Sequence, residues 1–568
     1  MAATISVNEA LNLFPAPSFR KLQKETLVKM VEAFQSGIRC ILLDAPTGSG
    51  KSYLNSTFCR YYKSFYATPQ LSLIDQMKSD KHLLLNRVFT EMKGRQNYYC
   101  EYDPQYTVNI GMCKRRKDFP CDKMRVCPYW VQKQKALKAK SVLMSFAYFI
   151  LEGGTDTPFS FGNRPLLILD ESHSIDKYVL DHVNLEISPY TLPKKFYDGI
   201  SPYIQEFKSK DNVDAFISAA VEFAKAEAQS YEQVTLDGKT LTVGDVIEKI
   251  KLEEFIQKAA LYFGTENAEW VWQTTYTTLK DVGIRRRFIA QPLYATLFAP
   301  SMLWTRADLY IVSSATLINP KLFVRETGLD RAVSKDEILY LHVGSTFPPA
   351  NRPIIDSSVG KMSLDKQAEN LPKAVKKIEE ILETEKENVA IHCHSYELAN
   401  YVQKHINPKY KERVIFHTTE DRGEMLEQWK RSRGKVFISV GFEEGQNWKE
   451  EICRAQILLK TPYPDLEDKR VAKRLEKREW TWFRFEALKK AIQSYGRAVR
   501  SETDRANFYV LDEAFFDLVN WCYRWVPQWF KDALPDSRNK EKIAALKAEV
   551  KQLQKEVKKL GVTTTVAT

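Results

Sequence analysis

The residues best placed to do chemistry begin at Ala45-Pro46-Thr47-Gly48-Ser49-Gly50-Lys51-Ser52. This stretch follows the apolar run Ile41-Leu42-Leu43 and leads into a helical pattern. A glycine-rich turn between strand and helix aims successive backbone N–H groups at a phosphate chain. In that frame Thr47, Gly48, Ser49 and Gly50 cradle the phosphates, Lys51 reaches the β- and γ-phosphates, and the Ser52 hydroxyl helps hold Mg²⁺. Ala45 stands where the usual pattern begins with glycine. A second apolar run, Leu166-Leu167-Ile168-Leu169, ends in Asp170-Glu171-Ser172-His173. Carboxylates at the carboxyl end of a parallel strand sit where such sheets bind ligands. Asp170 would coordinate Mg²⁺ and Glu171 would polarise the attacking water. Together the two motifs predict nucleotide hydrolysis, which a kinase or a GTPase could share.

More apolar runs end in polar residues farther along. Leu309-Tyr310-Ile311-Val312 runs into Ser313-Ser314-Ala315-Thr316, and Val389-Ala390-Ile391 into His392-Cys393-His394-Ser395. Val436-Phe437-Ile438-Ser439-Val440 runs into Gly441-Phe442-Glu443-Glu444-Gly445-Gln446-Asn447-Trp448. Gln493-Ser494-Tyr495-Gly496-Arg497-Ala498-Val499-Arg500 follows. Read as helix, it puts Arg497 and Arg500 about one turn apart on one face, with Gln493 beside them. Two guanidinium groups so placed could stabilise charge on a γ-phosphate in the transition state. Lys51, Asp170, Glu171, Gln493, Arg497 and Arg500 form the expected catalytic set, and Glu444 is grouped with the nucleotide contacts.

Nine cysteines are present, and four of them, Cys100, Cys113, Cys121 and Cys127, fall in the pattern C-x12-C-x7-C-x5-C. Zinc ribbons mostly use close C-x2-4-C pairs, whereas wide, uneven spacing fits a loop-rich pocket around a [4Fe–4S] cube. Zinc and plain reduced thiols remain the alternatives. Basic residues Lys114-Arg115-Arg116-Lys117, Lys123 and Arg125 lie among these cysteines, with Tyr98, Tyr99 and Tyr102 nearby. They are read as a DNA-contacting face with aromatic rings for base stacking, against the simpler reading of a solvated basic loop. The other five cysteines, Cys40, Cys59, Cys393, Cys453 and Cys522, read as buried thiols of a reducing compartment.

The order and wording of these motifs resemble the XPD/DinG branch of superfamily-two DNA helicases. Phe19-Arg20 and Gln23 resemble the branch's adenine-reading segment, and Ala67-Thr68-Pro69-Gln70 its early single-strand contact. Lys93 to Cys100 and Cys127-Pro128-Tyr129 resemble the borders of its iron–sulfur domain, and Thr461-Pro462-Tyr463-Pro464 a loop of its second motor domain. The likeness runs from about residue 19 to about residue 515. Asn447 stands where Asp is usual, and Asp512-Glu513-Ala514 lacks an Arg often found there; both put details of inter-domain coupling in doubt. The resemblance implies ATP and Mg²⁺ between two RecA-like domains, a [4Fe–4S] cluster on the four cysteines, and movement 5′ to 3′ along single-stranded DNA that unwinds duplex junctions. An ATP-driven translocase that does not separate strands is one alternative. An ATP-gated DNA-binding scaffold subunit is another, disfavoured by intact Lys51, Glu171 and Arg500.

The elements that must position these groups follow. The fold class expected is α/β, with two RecA-like parallel-sheet motor domains, an iron–sulfur insert and a helical arch. Residues 1–92, 135–185 and 288–328 would form the first motor domain, 93–134 the iron–sulfur domain and 186–287 the arch. In the arch Val213, Phe216, Ile217, Ala220, Val221 and Ala224 share a helical face. Residues 329–535 would form the second motor domain, and 536–568 a heptad helix with a disordered tail. Its seam, Ile543, Leu546, Val550, Leu553, Val557 and Leu560, would serve a helical protein partner, self-association, or docking on the motor. A chain of 568 residues exceeds one core. Its balance of 84 basic against 72 acidic residues, net +12, leans toward a polyanion. With no secretory signal and no membrane-spanning run, the expected setting is cytoplasmic and DNA-associated, or nuclear in a eukaryote. Pathway (DNA repair among several), preferred DNA structure and oligomeric state are not legible.

Overall fold

Uninterrupted aliphatic runs such as Cys40–Asp44 become strands buried on both faces, as parallel sheets require. The computed structural model describes residues 4–123, 125–153, 160–265, 267–279, 283–441, 448–540, 543–544, 547–548 and 551. The chain divides into two compact units, Met1–Ala45 with Gly50–Val343 and Asp465–Trp480, and Pro46–Ser49 with Gly344–Pro464 and Thr481–Thr568.

In the first unit a seven-stranded sheet runs in the order Ile338–His342, Cys40–Asp44, Ala307–Ser314, Arg164–Asp170, Ser64–Thr68, Ser141–Ser145, Thr90–Glu91. Every pairing in it is parallel. Successive residues serve opposite faces: Leu42, Phe65, Leu167 and Val312 join one core, while Ile41, Tyr66, Ile168 and Ile311 join the other. The expected boundary at 328 falls short. Strand Ile338–His342 pairs with Cys40–Asp44, and Leu339, Leu341 and Val343 pack on the same core.

The segment expected as a helical arch is only partly helical. Helices Lys210–Leu236 and Val243–Gly264 start at Ser209 and Thr242, whose hydroxyls accept from Asn212 and Asp245 N–H groups. Val213, Ile217, Ala220 and Ala224 are buried on the expected face. Trp270–Leu279 and Gly283–Pro292, however, form a long antiparallel pair, joined by Leu185–Ile187. Threonines and aromatics along Trp270–Leu279 favour a pleated surface, so helix was the wrong reading there.

The second unit carries a six-stranded sheet, parallel throughout, in the order Ile354–Gly360, Asn507–Asp512, Ala455–Leu458, Val389–Cys393, Val436–Val440, Val414–Phe416. Residues 442–447, Glu444 and Asn447 among them, lie outside the described residues, as does the heptad seam beyond Ile543. Among the described residues, no helix is long and apolar enough to cross a membrane.

Candidate nucleotide-hydrolysis site

The P-loop turn leaves the Cys40–Asp44 strand and enters helix Lys51–Tyr61 through Gly50, the N-cap residue, at φ 83°. Glycine suits this position because its φ is left-handed, and an added Cβ, 2.0 Å from Gln23 Nε2, would also displace that side chain. Gln23 Nε2 donates to the Gly50 carbonyl (3.1 Å), and Arg20 N–H donates to Gln23 Oε1 (2.8 Å). Phe19 stacks on Phe14 at 4.0 Å. The structure thus ties the segment carrying Phe19, Arg20 and Gln23 to the end of the P-loop. Asp44, the residue before Ala45, is buried and accepts from the Tyr340 hydroxyl at 2.7 Å; His342 Nδ1 lies 3.0 Å from the same oxygen.

Lys51 is buried, donates to the Ala45 carbonyl (2.9 Å) and stands 3.5 Å from Glu171 Oε1. Glu171 itself takes the left-handed region at φ 52°. Strain of that kind in a non-glycine residue gathers at functional sites. Asp170 is gripped from both sides: Oδ1 accepts from Ser313 Oγ (2.9 Å) and Glu171 N–H (3.0 Å), and Oδ2 accepts from the Tyr66 hydroxyl (2.7 Å). Burial first, and then the Glu171 charge, push the Asp170 carboxyl above its ordinary value against the opposing pull of Lys51. A buried carboxylate beside a second one, among neutral hydroxyl donors, is a place that favours a cation. Asp170 and Ser52 are the residues that would hold Mg²⁺.

Register explains why Ser313 reaches Asp170. The Ala307–Ser314 strand pairs in parallel with Arg164–Asp170, placing Ser313 opposite Asp170. Ser314 Oγ lies 2.9 Å from His173 Nδ1, and Ser172 Oγ donates to the Ser313 carbonyl. The two strand ends therefore form one polar network. Tyr66 and Asn55 were not singled out from sequence. Asn55 Nδ2 donates to Ser313 Oγ at 2.9 Å. The available signal was a tyrosine inside the buried strand Ser64–Thr68, whose hydroxyl needs a partner there.

In the second unit, helix Trp480–Tyr495 ends before the arginines. Gly496 N–H and Arg497 N–H close its last turn on Ile492 and Ser494, so Arg497 and Arg500 follow the helix and do not share its face. Glycine's poor helix propensity accounts for the break. Gln493 lies in the last helical turn, the Arg497 carbonyl accepts from Trp448 N–H, and Arg500 N–H donates to Asp504. Asp512 accepts from Met362, Thr461 and Ala514 N–H groups, a purely structural use of that carboxylate.

Cys100 and Cys127 are buried, and Cys113 and Cys121 half-buried. The Cys121 thiol is raised by burial first and then by the thiols of Cys113, Cys127 and Cys100. A Cβ on Gly111 would come within 2.9 Å of Cys100 Sγ, leaving that side of the sulfur room for hydrogen alone. Among the described residues, no three His, Cys, Asp or Glu side chains are grouped to hold a metal ion. The basic run is less free than expected. Arg115 is bonded to Asp103 and the Leu241 carbonyl, and Arg116 to Asp118. Tyr98 packs on Tyr129, whereas Tyr99 and Tyr102 are exposed.

Two family models match the chain, one described as the type III restriction enzyme res subunit over residues 16–193, the other as a helicase C-terminal domain over 378–533. Each model shows similarity over its own stretch, and neither covers half of the chain. The fold is shared with a solved structure titled XPD helicase, at 16% identity and TM-score 0.62, over 90% of this chain and 99% of that one. S. tokodaii Xpd4 aligns at 15% identity and TM-score 0.54, over 88% and 97%. The curated ATP-dependent DNA helicase CHL1 of Eremothecium gossypii is 19% identical over 470 residues, 69% of this chain. This chain spans 58% of that relative's length.

Proposed function

We propose that this chain is an ATP-dependent DNA helicase that moves along single-stranded DNA 5′ to 3′ and separates duplex strands. The observation that carries the reading is the network joining Lys51, Glu171, Asp170, Ser313, Ser314 and His173. Bound Mg²⁺ would neutralise charge between the β- and γ-phosphates. Lys51 would bind the same phosphates, and Glu171 would take a proton from the attacking water. Asp170, held by two hydroxyls, keeps one orientation and needs no reorganisation. The roles of Gln493, Arg497 and Arg500 at the γ-phosphate, of Phe19, Arg20 and Gln23 at adenine, and of Glu444 rest on the family likeness, as does the direction of movement.

Cys100, Cys113, Cys121 and Cys127 are proposed to hold a [4Fe–4S] cluster. Four thiols are the ligand type such a cluster takes. It would stabilise a small insert with little apolar core of its own. Iron and acid-labile sulfide, assayed after anaerobic purification of wild type and Cys113→Ser, test this assignment.

The functional test is strand separation with Mg-ATP on duplexes bearing a 5′ or a 3′ single-stranded tail, beside Lys51→Ala. Unwinding from the 5′ tail alone, abolished by the substitution, is expected. DNA-stimulated hydrolysis without unwinding on either tail would leave a translocase and sink the helicase reading.

A further inference from the structure

We infer that Tyr66 is a positioning residue that couples the grip on single-stranded DNA to the hydrolytic carboxylate Asp170. The inference rests on the motor reading above and adds a specific route inside it.

The Tyr66 side chain is fully buried in the Ser64–Thr68 strand, opposite Ile168 in the neighbouring strand that ends at Asp170. Its hydroxyl donates to Asp170 Oδ2 at 2.7 Å, while Asp170 Oδ1 is held by Ser313 Oγ and Glu171 N–H. The carboxylate plane is therefore set by two strands at once. One carries Ser313. The other runs, one residue past Tyr66, into Ala67-Thr68-Pro69-Gln70, the segment that resembles a single-strand contact.

That strand end is itself stiff. Thr68 is buried, its hydroxyl donates to the Gln70 carbonyl, and the Pro69 carbonyl accepts from the Tyr178 hydroxyl at 3.0 Å. Tyr66 and Thr68 are about 7 Å apart along an extended chain. A small shift imposed on Pro69 and Gln70 by a bound strand would be carried by rigid backbone to Tyr66, and so to the Oδ2 side of Asp170. Packed interiors transmit such shifts and do not absorb them. Asn55, on the helix behind the P-loop, donates to Ser313 Oγ, which in turn donates to Asp170. The P-loop helix, the Ser313 strand and the Tyr66 strand thus meet at one carboxylate.

Tyr66→Phe removes one oxygen and keeps the ring. ATP hydrolysis would be measured with and without single-stranded DNA, and affinity for a fluorescent oligonucleotide with and without a Mg-bound non-hydrolysable ATP analogue. The variant should lose about tenfold in DNA stimulation, the scale of one hydrogen bond to a charged group. It should also lose the nucleotide-dependent change in DNA affinity. Equal stimulation in wild type and variant overturns the coupling and leaves the motor reading intact. A wild type that hydrolyses no faster on DNA takes both down. Should the variant fold poorly, hydrogen exchange in wild type decides. Protection at Ala67 to Gln70 on adding the Mg-bound analogue without DNA is expected, and unchanged exchange there refutes the route.

Discussion

Two buried carboxylates in the first unit, Asp170 and Glu326, meet opposite fates. Asp170 and Glu171 sit at the end of a parallel strand, where Asp170 takes hydrogen bonds from Ser313 and Tyr66 and its carboxyl is raised above the ordinary range. Glu326 and Glu479 flank Arg474, whose side chain is wholly buried and lies 2.7 Å from Glu326 Oε2 and 2.6 Å from Glu479 Oε2. There burial alone would raise the Glu326 carboxyl, but the Arg474 guanidinium, helped by Arg325, outweighs it and holds it below its usual value. Burial is common to both, so the neighbours decide. A full positive charge with fork geometry makes a structural lock. Hydroxyl donors and a second carboxylate leave charge that favours a cation.

Arg474→Met should break the comparison most visibly, since it leaves Glu326 only Arg325 and Glu479 only the Tyr294 hydroxyl as partners. Urea unfolding should report a loss of about 3–5 kcal/mol, the scale for removing one partner of a buried pair. A variant as stable as wild type would mean that Glu326 and Glu479 find water or other donors. Glu171→Gln should do the reverse, lowering ATP turnover by about 10²–10⁴-fold with little change in the urea midpoint. Turnover within threefold of wild type would remove Glu171 from the chemistry.

Ser313→Ala is subtler. It frees Asp170 Oδ1 from one hydroxyl, and hydrolysis should fall about tenfold while the urea midpoint moves little; a large stability loss with normal turnover would make Ser313 structural. The smallest effect is in pH. Because the folded Glu326 carboxyl lies below its ordinary value, its pairing stabilises the fold above about pH 4.3. That contribution is lost as pH falls through the folded value. The stability gap between wild type and Arg474→Met should therefore narrow as pH falls below about 4.3, and a constant gap would argue against the lock.

The turn and the acidic pair of the proposed site were legible as local structure because their parts are local. A glycine-rich turn, a lysine one residue past Gly50 and an acidic pair at a strand end declare themselves in a few residues each. The arginines were legible as residues but not as geometry, because Gly496 ends the helix that a continuous periodicity implied. The Trp270–Pro292 hairpin was missed although its threonines and aromatics carried the signal; neighbouring helices had set the expectation.

The excursion of Asp465–Trp480 into the first unit had no such signal. Arg470 donates to the Leu293 carbonyl, Lys477 pairs with Glu269, and Arg474 finds Glu326, 148 positions earlier. By itself the sequence determined the phosphate turn and the order of strands that end in polar residues, both of which short-range chemistry dictates. The tertiary structure decided which carboxylate is locked and which is held ready, and that Tyr66 points at Asp170. Those outcomes depend on the register between strands and on partners far apart in the chain, and no local window of residues contains that information.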